Sequence, residues 1–117
     1  MENGIWTIFH KTGRYSASYV PVWQRYVCYG GMAEPVKQAG GDGKGKNRLT
    51  LRIRDHFARL LDADGNAVSV GEAALSPGDL IAAGEAAQPD GIACWRVNAV
   101  AAETGGGLVN GIVLTAE

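Results

Sequence analysis

Apolar and polar positions alternate with a period of two through much of the chain, the pattern of strands with one covered face. Residues 48–54 are the clearest case: Leu49, Leu51 and Ile53 alternate with Arg48, Thr50, Arg52 and Arg54. A half-buried strand with a basic outer stripe is expected there. Residues 4–11 differ, because Ile5, Thr7 and Phe9 fall on one side and Trp6, Ile8 and His10 on the other. Bulk on both sides suits a strand covered on both faces or lying at an interface. Residues 19–29, YVPVWQRYVCY, are dense in aromatic and β-branched side chains. Pro21 cannot donate to a ladder, so its part of the segment is an edge or a strand start. Shorter strands are expected at Val68 and Val70, at 80–83, at 93–100 and at 108–115.

Turn residues separate these segments. Thr12-Gly13-Arg14 breaks the first, and Gly30-Gly31 ends the second. Asp62-Ala63-Asp64-Gly65-Asn66 reads as a tight turn, and Ser76-Pro77-Gly78-Asp79 as a type II turn with Pro at its second position and Gly at its third. Residues 88–91 make another turn, and 104–107 suit a hairpin link. Residues 55–61 are expected to form a turn or two of helix, with Asp55 as N-cap and Phe57, Leu60 and Leu61 facing inward. Residues 30–47, GGMAEPVKQAGGDGKGKN, read as one long loop rich in glycine and lysine. The fold class expected is all-β: a small barrel or sandwich of six to seven short antiparallel strands, with long loops and at most one short helix. No internal repeat or boundary divides residues 1–117, so a single domain is expected.

Composition alters this picture little. The chain has 117 residues, 46% of them hydrophobic, and a formal net charge of −1. That balance gives no reason to expect a membrane or nucleic-acid partner for the chain as a whole. No apolar run approaches the ~20 residues of a membrane span. The start, Met1-Glu2-Asn3-Gly4, lacks the basic and apolar runs of a signal peptide, so synthesis in the cytoplasm is expected. Seventeen glycines lie in pairs, in a triplet or at turns, without a three-residue period, and mark loops. Cys28 and Cys94 belong to no CxxC pair and read as small apolar strand residues.

Chemical motifs fail on context. Residues 40–46 fit G-x-x-x-x-G-K, but Asn47 stands where Ser or Thr would bind magnesium, and a polar stretch precedes the motif where a buried strand is required. Asp62, Asp64 and Asn66 resemble the start of a calcium loop, yet its sixth and twelfth positions are Ala67 and Ala73. His10 and His56 have no Cys or His at metal-ligand spacing. No catalytic residue, metal site or cofactor is expected, and the chain is read as a non-enzyme. One local charge concentration remains. Lys37, Lys44 and Lys46 in the loop join Arg48, Arg52 and Arg54 on the strand, and together they suit an acidic protein patch or a phosphate backbone.

The order of features resembles the head–tail adaptor family of long-tailed bacteriophages, the head-closure, stopper and minor capsid proteins. The resemblance rests on the strand Trp6-Thr7-Ile8-Phe9-His10, the Trp-containing strand Val22-Trp23-Gln24-Arg25-Tyr26, the long loop and the alternating Leu51-Arg52-Ile53-Arg54. It continues through Pro77-Gly78-Asp79-Leu80-Ile81 to Gly84 and the closing Trp95-Arg96-Val97 with Val100. The stretch 55–76 is longer than that pattern expects. The family implies a β-barrel-like fold and a place in the neck of the virion after synthesis in the host bacterial cytoplasm. It implies contacts with portal and tail proteins, self-association into a ring on assembly, and no catalysis or membrane. The loop with Lys37, Lys44 and Lys46 matches a channel-facing loop that touches packaged DNA non-specifically. On this reading the isolated protein is a monomer or weakly associated. The alternatives are a tail-completion protein of the same particle, and a small nucleic-acid-binding barrel of the OB or SH3-like kind. The latter would use the Arg48, Arg52 and Arg54 face with Tyr26 or Trp23 as stacking platform.

Overall fold

A computed structural model of the chain describes residues 3–38, 46–55, 57–73 and 75–117. Eight strands follow one another: β1 (Asn3–Tyr15), β2 (Pro21–Gln38), β3 (Lys46–Arg54), β4 (Arg59–Leu61), β5 (Ala67–Val68), β6 (Leu80–Ala83), β7 (Trp95–Gly105) and β8 (Leu108–Ala116). Every pairing between them is antiparallel. The sheet runs β1-β6-β7-β8-β3-β2, and a further β1–β2 pairing joins its ends. Six strands therefore close on themselves, and closure removes the free edges that an open sheet would leave along its middle. The short β4–β5 hairpin hangs on β2, where residues 27–29 pair with 59–61.

The alternating pattern decides which side chains fill the interior. Across β3 and β8 the inward pairs are Leu49 with Ala116, Leu51 with Leu114 and Ile53 with Ile112, all buried. Ile8, Tyr26, Cys28, Leu60, Val70, Ile81 and Val97 complete the same core, and half-buried Trp6 and Trp95 pack against it. Their rings meet edge to face with centroids 5.9 Å apart, an arrangement that adds about 1 kcal/mol beyond burial. The expectation for β1 holds, since Thr7, Ile8 and Phe9 are all buried although they point to opposite faces.

The sheet differs from the sequence reading in three places. Thr12-Gly13-Arg14 does not break β1. The register with β2 slips between Lys11 and Tyr15, so the strand passes through a bulge and reaches Tyr15. Gly30-Gly31 does not end β2 either. Gly30 takes φ +84°, Ile5 pairs with Tyr29 and Gly4 with Gly31, so Gly30 is a bulge at which the strand turns a corner. A Cβ there would lie 2.6 Å from the Phe57 carbonyl oxygen, and only glycine fits. Beyond the corner, residues 32–38 pair with 46–52 of β3. Much of the expected 30–47 loop is thus a strand hairpin, and residues 39–45 lie outside the described residues.

The third difference is the expected helix. Phe57 N–H and Ala58 N–H both donate to the Arg54 carbonyl, at 3.0 and 2.8 Å, but the turn is not continued. Residues 59–61 instead bond to the edge of β2 that β3 leaves open before Gly30, because backbone groups there need partners. Leu60 is buried as expected, whereas Phe57 is 70% exposed. No helix occurs among the described residues. Two of the expected turns are in place: Gly65 N–H donates to the Asp62 carbonyl, and Gly78 has φ +98° with Asp79 N–H donating to the Ser76 carbonyl.

Candidate interaction site

The basic strand face exists, but carboxylates offset part of its charge. On the outer side of the barrel Arg54 lies beside Gly111 of β8, which in turn lies beside Glu103 of β7. Gly111 has no side chain, so Glu103 reaches over it. A Cβ at Gly111 would sit 3.2 Å from both the Arg54 Cγ and the Glu103 Oε1. Glu103 Oε2 is 3.4 Å from an Arg54 guanidinium nitrogen, and Glu103 Oε1 is 3.6 Å from Arg52 Nε. Arg48 Nε lies 3.3 Å from Glu117 Oε1. The three arginines expected to form an open basic face are therefore held together, with two carboxylates among them. Lys37 and Lys46 fall in the β2–β3 hairpin, where Lys37 pairs with Asn47 and Lys46 with Gln38, and Lys44 lies outside the described residues. Tyr26 is 3% exposed and offers no stacking platform. Burial, followed by the charges of Asp62 and Asp79, raises its hydroxyl pKa above the ordinary value.

The most connected polar side chain is one that the sequence reading took only as a turn residue. Asp79 has 0% exposure and closes the seam between β1, β6 and β7. Its carboxylate accepts from Ser76 N–H at 2.8 Å, from Lys11 N–H at 2.9 Å and from His10 Nδ1 at 3.0 Å. Its backbone is bound too, since Val97 N–H donates to the Asp79 carbonyl and Gly78 N–H donates to the Val97 carbonyl. A buried carboxylate is stable only when its lone pairs are satisfied, and these donors do so. The legible signal was an acid ending a Pro-Gly turn directly before an apolar strand. Its partners, sixty-eight and sixty-nine positions earlier, carry no local mark.

A second seam explains why β1 is covered on both faces. The Thr7 hydroxyl donates to the Gly84 carbonyl at 2.7 Å and accepts from Ala86 N–H at 2.9 Å. Arg25 Nε donates to the Ala86 carbonyl at 2.5 Å, and its guanidinium lies 3.4 Å from Glu85. The segment after β6 is thus strapped over the outer side of β1 and β2.

Exposed apolar side chains gather at the ends of the hairpins. Tyr15, Tyr19 (88% exposed), Val20 and Val22 crowd the β1–β2 tip, and Leu108 (74%) and Val109 lie at the β7–β8 tip. Tyr19 takes φ +60°, a conformation rare for an aromatic residue, while Ser16 Oγ accepts from Ser18 N–H and Val20 N–H across the turn. Along β7 the partner β6 reaches only Trp95 and Arg96. Among the described residues, 98–105 therefore have β8 on one side and no strand on the other. That edge carries Ala99, Val100, Ala101 and Ala102. Cys28 is buried, which pushes its thiol pKa up to about 11 against a lowering hydrogen bond from the Gly31 backbone. Cys94 is half-buried and raised by the same cause. His56 lies outside the described residues.

Comparison of the chain with protein-family models, with curated proteins and with solved structures finds no match.

Proposed function

We propose that the chain is a structural adaptor that works by binding other proteins, and that within this class it is a head–tail connector (head-closure or neck protein) of a phage or prophage particle. The observation that supports the first statement most is the placement of its exposed apolar surface. Tyr15, Tyr19, Val20 and Val22 at one hairpin tip and Leu108 and Val109 at another stand out from a closed barrel, and the β7 edge leading to the second tip, rich in alanine, has no strand partner among the described residues. Exposed apolar groups gathered this way, with open N–H and C=O groups beside them, suit strand addition and docking onto a partner. The narrower statement rests on the order and spacing of the strand motifs that resemble the adaptor family. Portal and tail proteins are its partners on this reading, a ring forms on assembly, and Lys37, Lys44 and Lys46 face packaged DNA.

One observation weighs against the nucleic-acid barrel. Arg48, Arg52 and Arg54 already face Glu117 and Glu103, and Tyr26 is buried. A phosphate backbone would have to displace those carboxylates. The test is binding of the purified chain to the portal protein encoded by the same genome, with duplex and single-stranded DNA as competitors across a salt series. The proposal expects saturable portal binding that DNA does not compete away. Salt-steep DNA binding without portal binding would contradict it.

A further inference from the structure

A groove near the tip end of the β1–β2 hairpin gathers three basic side chains that form no ion pair among the described residues. Its volume is about 330 Å³, and Lys11, Arg14 and Arg96 line it together with Tyr15, Trp23 and Leu80. Among the described residues, no acidic one lines it. Among the described residues, none of the three cations forms an ion pair, in contrast to Arg25, Arg48, Arg52 and Arg54. The floor is built, not incidental. Lys11 is held by its N–H on the buried Asp79 carboxylate, and Gly78 beside it is bound through its N–H to Val97. Arg96 is fixed from the other side by a reciprocal pair of backbone hydrogen bonds with Glu117, at 2.8 and 2.9 Å.

We infer that this groove binds an acidic, apolar-flanked segment of a partner protein, with one or two carboxylates on Lys11, Arg14 and Arg96 and a neighbouring apolar side chain against Trp23, Tyr15 and Leu80. Charge complementarity commits it to an anion. The aromatic and aliphatic lining commits it to one with an adjoining apolar group. The size matches the small end of ligand clefts, about 300–1,000 Å³. A nucleic-acid strand fits less well, because it requires a positive track along many phosphates. The next basic surface, on β3, is occupied by Glu103 and Glu117. This inference deepens the protein-adaptor reading and rests on it.

The probe is a short fluorescein-labelled peptide with two glutamates flanking a leucine. It is titrated against the full chain, with the glutamine version of the peptide and a labelled single-stranded oligonucleotide as comparators. The glutamate peptide is expected to bind, and the Arg14→Ala/Arg96→Ala double variant to bind it about ten-fold more weakly. Arg59→Ala, which removes one charge from another exposed strand position, is expected to change affinity less than about two-fold. Lys11→Gln, which keeps the backbone N–H that Asp79 requires, gives an independent loss should the double variant fold poorly by near-ultraviolet circular dichroism. Equal binding of the glutamine peptide, tighter binding of the oligonucleotide, or no loss in either groove variant would overturn the inference. Portal binding of the same proteins separates the two claims. Undiminished portal binding by well-folded groove variants sinks the groove while leaving the adaptor reading intact. Glutamate-peptide binding lost in those variants, without portal binding by the parent chain, sinks the connector reading and leaves the groove.

Discussion

Replacing Asp79 with alanine removes the acceptor shared by Ser76 N–H, Lys11 N–H and His10 Nδ1, at 2.8, 2.9 and 3.0 Å, in a position with 0% exposure. A buried donor left without a partner costs about 1–3 kcal/mol. Two backbone donors are orphaned outright, while His10, at the protein surface on one side, turns in part to solvent. The sum is about 3–5 kcal/mol, comparable with breaking a buried charged pair and a large share of the ~5–15 kcal/mol of a typical domain. Asp79→Asn keeps the shape and one acceptor oxygen but sets an amide N–H against a backbone N–H, for about 2 kcal/mol. His10→Ala removes one partner and leaves the two backbone bonds, for about 1 kcal/mol. The assay is urea unfolding followed by tryptophan emission, which reports on the core through Trp6 and Trp95. With a slope of about 2 kcal/mol/M, the alanine variant's midpoint falls by about 2 M. The ranking is diagnostic: alanine worst, asparagine intermediate, His10→Ala mildest. An Asp79→Ala variant within about 0.5 kcal/mol of the parent, the range of ordinary surface changes, would refute the role given to this carboxylate.

Two further outcomes follow from the same geometry. Gly30→Ala combines φ +84° with a Cβ placed 2.6 Å from a backbone oxygen, so it should lose more than about 3 kcal/mol or fail to fold. Gly107→Ala, at φ +84° with nothing within 4 Å of its Cβ, should lose only about 1 kcal/mol; urea midpoints for both variants decide it. Cys28 is the second case. Burial raises its pKa from the ordinary 9.0 to about 11, so the folded protein holds this proton more tightly than the unfolded chain. That contribution is complete below pH 9.0 and is lost as pH rises to about 11, about 2–3 kcal/mol in all. The buried Tyr26 hydroxyl adds in the same direction. Stability against pH, measured for the parent and for Cys28→Ala, should show the alkaline fall shrink in the variant. In the native protein at pH 8, thiol alkylation should take Cys94 first and leave Cys28 until unfolding.

Much of the architecture is legible because a period-two pattern is a direct consequence of strand geometry. The bounds of β6, the inward row Leu49, Leu51 and Ile53, and the turns at Gly65 and Gly78 follow from local rules. What the sequence hides is partner choice. Residues 32–38 carry the proline and lysine of a loop, directly after a glycine pair, but become strand because β3 offers a ladder to bond. Residues 59–61 leave a helix-compatible pattern for the open edge of β2. The basic stripe on β3 is visible, but its partial neutralisation depends on Gly111 standing between Arg54 and Glu103, an accident of register that spacing does not reveal. The reverse holds for Lys11, Arg14 and Arg96, which are unremarkable in sequence and are brought around one groove only by the β1–β6–β7 seam.

The most direct test of the connector reading uses DNA-filled, tailless particles that lack this protein. The purified chain is added, and occupancy of the portal vertex is read by electron microscopy while release of packaged DNA is followed with a nuclease. The account predicts saturable binding at the portal vertex with DNA retained inside. Absence of binding at the vertex, with tight and salt-sensitive binding to free DNA instead, would contradict it and return the chain to the nucleic-acid barrels.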